Sequence, residues 1–502
     1  MIRFRRGLAA GSAVALAMTA QTGIATSAPA IPIACGTLIT SSVTLTGNVG
    51  PCAGDGITIV RDGVTLNLNG YRVFGTTTAT GIAGGQFKGI LFQNVSDSQV
   101  RNGEVTGFAT GVRIDGGARN RVQRINSHDN IGPSNSGDNG DGISVWNSNN
   151  NTIEGNMVAR NGPYSGIALI TGFEPYGADA PVTIITGNKI LNNQVLDNNV
   201  APCTAPLGCL PRNKQTGALA PESGRVPMGG QTTGSNNDGV RIEGPNATNS
   251  RVEGNTVNDS GNNGIFVQPS CRNAFDVPAD DPRRCAGDIG NIGTLIRNNV
   301  ANHNGYGRAT GSGINMLAML PNLKQAAQTM VVGNTARFNY QHGIEIDSAC
   351  SLATDISFNC APNSNTLLRN NASNNLQNGI RVGALSSENT ISQNRVNVNG
   401  RIGLELQARA VSPATTPVTY VPGTGAFDNT LVANQGKRNG ILDGADRTPD
   451  GGTNDWVDNQ FITVNQLCVL DTGSPALAAA AAADGNGEGD GVGLDQLGRS
   501  AP

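Results

Sequence analysis

Four ionisable side chains fall at matching positions of three short segments. Glu345 and Asp347 lie in Gly343-Ile344-Glu345-Ile346-Asp347, Arg381 in Gly379-Ile380-Arg381-Val382, and Glu405 in Gly403-Leu404-Glu405-Leu406. His342 immediately precedes the first segment. In a strand alternate residues face the same way, so each of these side chains faces away from the side on which its apolar neighbours are buried. If the segments lie side by side, Glu345 and Glu405 are two strands apart, roughly 10 Å between backbones. Paired carboxyls roughly 6.5–9.5 Å apart suit inverting cleavage of a glycosidic bond, one as acid and one as base for water. Arg381 between them reads alternatively as the centre of an ordinary cross-strand ion ladder. Elimination would use carboxylates to hold Ca2+ and an arginine as base. Carboxylates beside Arg381 favour its protonated form and make it a poor base, and Arg241, though less encumbered, has Glu243 nearby.

The elements that must position these residues are repeats of one pattern. It starts at Lys88-Gly89-Ile90-Leu91-Phe92 and recurs around Gly111, Gly142, Gly166, Gly239, Gly264, Gly313, Gly343, Gly379, Gly403 and Gly440. Where no insertion intervenes, neighbouring glycines are 22 to 25 residues apart. A second strand pattern sits between them, as in Asn151-Thr152-Ile153-Glu154-Gly155-Asn156 and Asn389-Thr390-Ile391-Ser392-Gln393-Asn394. Two period-2 strands per repeat, divided by Asn/Gly turns, predict an all-β solenoid of about eleven or more coils. A coil alone cannot bury an apolar pair such as Ile143 and Val145, whereas stacking buries it continuously. Asn at equivalent turns can stack in amide ladders and tolerates left-handed backbone, and the glycine before each strand is expected to serve a tight corner.

Parity then gives an outward ladder of Arg113, Ser144, Ala168, Arg241, Phe266, Asn315, Glu345, Arg381, Glu405 and Leu442. Two residues further on lie Asp115, Trp146, Ile170, Glu243, Gln268, Leu317, Asp347, Gly383, Gln407 and Gly444. Glu345, Asp347, Arg381, Glu405 and His342 are the catalytic candidates. Arg241, Glu243, Asp238, Asn315, Trp146 and Phe266 are candidates for substrate contact; the two aromatic rings could stack on sugars or be covered by a loop. His128 and His303 are expected in solvated turns. Long insertions at about 171–236, 269–290, 318–329, 347–364 and 408–428 follow the same strand and would wall one edge of this face.

These repeats resemble the right-handed parallel β-helix superfamily of extracellular carbohydrate-active proteins, including pectate lyases and polygalacturonases. The resemblance covers nearly the whole mature chain and implies a single-stranded right-handed parallel β-helix that meets polysaccharide. His342-Gly343-Ile344 is similar to the Gly-His-Gly-Ile element of polygalacturonases, and Asn237-Asp238-Gly239-Val240 to their Asn-Thr-Asp-Gly element. The pattern departs from that enzyme at Asn262-Asn263, where a paired Asp belongs, and in placing Asp238 three coils from His342. No Arg-Ile-Lys element follows.

Composition fits this reading. The 502 residues include 68 glycines, with 4% aromatic and 14% charged residues, which suits many small strands rather than a core of large rings. A net charge of −3 leaves no basic stripe for nucleic acid. Residues 1–30 read as an export signal, with Arg3, Arg5 and Arg6 before the apolar run Leu8–Ala20 and a small-residue site at Ala28-Pro29-Ala30. Residues 31–470 form the helix domain with its caps and 471–502 a closing segment. The segment 57–68 is expected to cover the first coil. No later stretch could span a membrane, and a secreted monomer is expected. Nine cysteines fall into the couples Cys35/Cys52, Cys203/Cys209, Cys271/Cys285 and Cys350/Cys360, with Cys468 left over, consistent with loop staples in an oxidising compartment. Asp484, Asn486, Glu488 and Asp495 have the alternation of a Ca2+ loop, though with Glu at the fifth position and no helix following, an acidic glycine-rich tail is the simpler reading.

Overall fold

The computed structural model describes residues 33–76, 87–132, 140–171, 185–198, 200–202, 225–227, 238–244, 247–268, 292–305, 311–318, 327–348, 363–408, 425–448, 453–466 and 469. The export signal, the acidic tail with Asp484, Asn486, Glu488 and Asp495, and every cysteine except Cys35 and Cys52 lie outside them, as does most of each insertion. Cys35 and Cys52 form a disulfide. No helix among the described residues is long and apolar enough to cross a membrane.

The described residues between 33 and 469 form a right-handed parallel β-helix. Its first sheet has 13 parallel strands, from Thr37–Ile39 to Leu442–Asp446. The glycine-led segments supply eleven of them. The other two, Thr37–Ile39 and Ile57–Ile59, precede the series, and segment 57–68 covers the first glycine-led coil by stacking on it as a coil of its own. A second sheet stacks strands such as Thr152–Glu154 and Thr390–Ser392. A third stacks strands such as Met157–Ala159 and Gln194–Leu196. Two eight-residue strands, Gln99–Thr106 and Arg121–His128, run through both of these sheets. His128 therefore ends a strand, with Nε2 3.4 Å from Glu104 and Nδ1 2.6 Å from Asp129, rather than lying in a free turn. His303 is in a turn but stacks on Phe338.

Each coil sends one apolar row inward from each sheet. Ile143 with Val145, Ile344 with Ile346, and Ile380 with Val382 are all fully buried, and burial of each such side chain is worth about 1.5–3 kcal/mol. The corners carry the polar order. Between the second and third sheets an unbroken row of nine asparagines runs Asn156, Asn193, Asn255, Asn299, Asn334, Asn370, Asn394, Asn434 and Asn459. Each Nδ2 donates to the next Oδ1 and to a carbonyl of the coil before, as Asn370 does to Asn394 at 2.9 Å and to Val331 O at 2.8 Å. Shorter rows occupy the other corners, among them Asn304 to Asn439 and Asn365 to Asn454.

The glycine that opens each strand has a different role from a left-handed corner. A Cβ on Gly142 would sit 2.4 Å from Val158 Cγ1 and 2.6 Å from Asn161 Nδ2. The residue is glycine because Asn161, which bonds Asn130 and Asn198 in a corner row of its own, and Val158 of the third sheet pack against its bare Cα. In the last coil the register also departs from the motif: Gly444 is level with Leu404 and Ala445 with Glu405, three residues beyond the Gly440 alignment. Leu442 is therefore off the Glu405 row. Asp446 takes the level of inward-facing Leu406 and accepts from Thr448 N, Asn454 Nδ2 and Trp456 Nε1.

Asn370→Ala removes two donated bonds and leaves the amides above and below half-paired. It is expected to cost about 1–3 kcal/mol in urea denaturation without altering the far-ultraviolet spectrum. An unchanged midpoint would show that the row is ornamental.

Candidate functional site

The first sheet brings the predicted residues into line. Arg113, Ser144, Ala168, Arg241, Phe266, Asn315, Glu345, Arg381 and Glu405 are successive partners in register. Along this row the ionisable groups divide into two clusters.

The first cluster centres on Glu345. Its Oε1 is paired with the Arg381 guanidinium, and its Oε2 accepts from Ser312 Oγ at 2.7 Å and from Asn315 Nδ2 at 3.1 Å. His342 Nε2 lies 3.6 Å from Oε1. Arg381 also reaches Asp347 at 3.4 Å. An ion ladder joining Arg381 evenly to both glutamates is therefore not what forms. Glu405 turns to other donors: Asn378 Nδ2 at 2.7 Å, Gln407 Nε2 at 3.1 Å and Arg447 Nε at 3.4 Å. Arg381, Asp347 and Arg447 are part-exposed, whereas Glu345, Glu405 and His342 are buried. Burial opposes the charge of Arg381, but Glu345 and Asp347 outweigh it, and with Glu405 they hold the guanidinium protonated above its usual range. Burial, aided by Arg381 and opposed by Glu405 and Asp347, pushes His342 down to about 3. Its Nδ1 accepts the Asn378 N–H at 3.2 Å, so the neutral ring carries its proton on Nε2, facing Glu345.

The second cluster lies nearer the N-terminus. Arg241 is fully buried and pairs with Glu243 at 2.8 Å. Asp238 Oδ1 accepts from Asn263 N and Nδ2, both at 3.0 Å. Asp141, which the sequence reading did not single out, accepts from Ser165 N at 2.8 Å. Trp146 and Phe266 are both buried; the Trp146 ring lies beneath Arg113, 4.2 Å from its Cζ, and packs with Ala168 and Ile170. The two rings thus lie within this face rather than on its surface.

Asp141, Ser312, Asn378, Gln407 and Arg447 complete these clusters. A signal for the first three was present: they occupy the position before the strand glycine, which bonds across coils along the edge of the row. Where Ser165, Asn263, Ser312 and Asn378 are neutral, Asp141, Asp238 and His342 are titratable. Among the described residues no group of three or more His, Cys, Asp or Glu side chains could hold a metal ion.

No protein-family model matches the chain, and no curated protein does. Solved structures that it is similar to include the periplasmic alginate epimerase AlgG, at 11% identity over 82% of this chain and 77% of that one, with a TM-score of 0.45. The A-module of the Azotobacter vinelandii mannuronan C-5 epimerase AlgE4 is 11% identical over 81% and 87%, with a TM-score of 0.43. The catalytic domain of a GH87 alpha-1,3-glucanase is 14% identical over 82% and 61%, with a TM-score of 0.40. These are likenesses of fold, and the chemistry of the two clusters rests on their own geometry.

With three histidines in the chain, the state of His342 is open to ring NMR. Its native pKa lies below the unfolded value of about 6.5. The ring therefore stabilises the fold fully above that pH, and the contribution is lost as pH falls toward 3. One imidazole, identified by its absence in His342→Asn, is expected to stay neutral with its proton on Nε2 down to about pH 4.5. Titration of that ring near its ordinary value would contradict the arrangement.

Proposed function

We propose that this protein is secreted and acts on a polysaccharide lying along the outward face of the first sheet, as a glycoside hydrolase ahead of a polysaccharide lyase. The register of Glu345, Arg381 and Glu405 on adjacent strands carries the reading. It sets two carboxyls two coils apart around a fixed cation, near the separation used for inverting hydrolysis. Arg381 and Asp347 reach solvent beside them, so a sugar hydroxyl has both a donor and an acceptor at the surface. Hydrolysis is preferred because the arginine is held protonated and is a poor base for elimination.

In this scheme Glu405, whose donors are mostly neutral amides, protonates the leaving oxygen, Glu345 takes the proton of the attacking water, and Asp347 helps to hold Arg381 against the sugar. The bond pattern of Glu345 supports a second reading, a non-catalytic glycan-binding protein. Arg381, Ser312 and Asn315 occupy both of its oxygens, which suits a clamp better than a proton donor.

A panel of neutral and uronate polysaccharides separates these readings. Hydrolysis releases reducing ends alone, whereas a lyase adds the ultraviolet absorbance of a new double bond. Binding with neither signal favours the second reading. If hydrolysis is found, Glu405→Gln should lower turnover by about 10²–10⁴-fold by removing the acid, and Glu345→Gln should lower it similarly by removing the base, with both variants folded. Undiminished turnover in either would remove that residue from the site.

A further inference from the structure

The cluster around Asp141 and Asp238 has a feature that the proposed function does not use. Both carboxyls are fully buried, and each has only one oxygen engaged: Oδ1 meets a backbone N–H of the next coil, while Oδ2 has no hydrogen-bond partner. The buried hydroxyls of Ser144 and Ser165 and the indole N–H of Trp146 are likewise without partners. Gly142 N donates to Ser165 O, and Gly166 N to Asp238 O, so the two carboxyls stand two coils apart with Ser165 between them. At ~4.8 Å per coil that is roughly 10 Å. The charged groups facing Asp141 are Arg241 and Glu243 from one strand and Arg113 from another; those facing Asp238 are Arg241 and Glu243. Arg241 is already paired with Glu243, and Arg113 with Asp115.

We infer that the coils carrying Asp141, Ser165 and Asp238 form a proton-locked segment, shut while both carboxyls keep their protons and opening locally to water once they ionise. The physical reason is the state of the free oxygens. A neutral acid leaves a weak acceptor or a hydroxyl in the buried space, whereas a carboxylate leaves half of a full charge there without a donor, a far larger cost. Burial raises Asp141 to about 6 and Asp238 to about 7, with Arg241 the leading opposing influence and Glu243 adding to the rise. Because the native values lie above the unfolded one, the penalty begins as pH rises past about 4 and is complete above about 7. Elsewhere the same position before the glycine is filled by neutral Asn263 and Asn378, which make the turn bond without this sensitivity.

Hydrogen exchange read by mass spectrometry, corrected for the intrinsic pH dependence, tests the lock in the whole protein. Between about pH 5 and about pH 8, peptides covering 140–171 and 238–268 should lose protection on the order of a thousandfold, about one decade from Asp141 and about two from Asp238. Peptides covering 363–399 should change little. In Asp141→Asn/Asp238→Asn the pH-dependent loss should disappear. Infrared difference spectra of the unaltered protein give a readout independent of that variant: a protonated-carboxyl band present at about pH 5 should be lost by about pH 8. Equal protection at both pH values, a loss that survives in a folded double variant, or no protonated-carboxyl band at the lower pH would each overturn the inference.

Discussion

The hydrogen-bonded asparagine row is the constraint on which the remaining structure depends. An amide has two donors and two acceptor sites, and in this fold all are directed along the solenoid axis. Asn370 takes Asn334 N–H and Nδ2–H on its oxygen and gives its own protons to Val331 O and Asn394 Oδ1. A coil displaced by one residue would break these bonds and turn the inward apolar pairs outward at the same time. Insertions of very different lengths can therefore interrupt the chain between coils without disturbing the register that sets Glu345 beside Arg381. The 69 residues between the strands Ile167–Ile170 and Val240–Glu243 still leave Ala168 paired with Arg241.

That constraint also explains which features were legible in the sequence. The strands, their order and the outward row follow from period-2 alternation and a glycine every 22 to 25 residues, because both reflect packing that repeats. The role of the glycine did not follow. Its repeat suggested a tight corner, but the space above Gly142 is occupied by Val158 and Asn161, residues from the far side of the coil. The last coil was misaligned for a related reason. Gly440 matched the motif, but among the described residues no further glycine-led strand follows to enforce its register, and Asp446 bonds Trp456 instead.

Individual contacts at the candidate site were less legible than its location. Parity placed Glu345, Arg381 and Glu405 on one face, yet it could not show which carboxylate each cation would choose. Arg381 pairs with Glu345 and Asp347 and leaves Glu405 to Arg447, which comes from beyond the final first-sheet strand. Trp146 was expected to face outward, and Arg113 covers it with a cation–π contact. Long polar side chains bend across their neighbours, so facing outward in a strand does not guarantee exposure.

The two clusters on this face meet one problem, ionisable groups removed from water, in opposite ways. Around Glu345 the charges are kept and matched: a protonated arginine, two carboxylates and several amide or hydroxyl donors account for one another, and the histidine among them is left neutral. Around Asp141 and Asp238 the cations are already engaged by Glu243 and Asp115, so the carboxyls find too few donors and hold their protons to higher pH, up to about 6 and about 7. The difference lies in donors rather than depth. Glu345 and Asp238 are both buried, but Ser312, Asn315 and Arg381 all reach Glu345, whereas Asp238 is met on one oxygen only. Charge that is fully paired makes a surface prepared to receive a polar ligand with little rearrangement. Half-paired acids make an interior whose stability depends on pH.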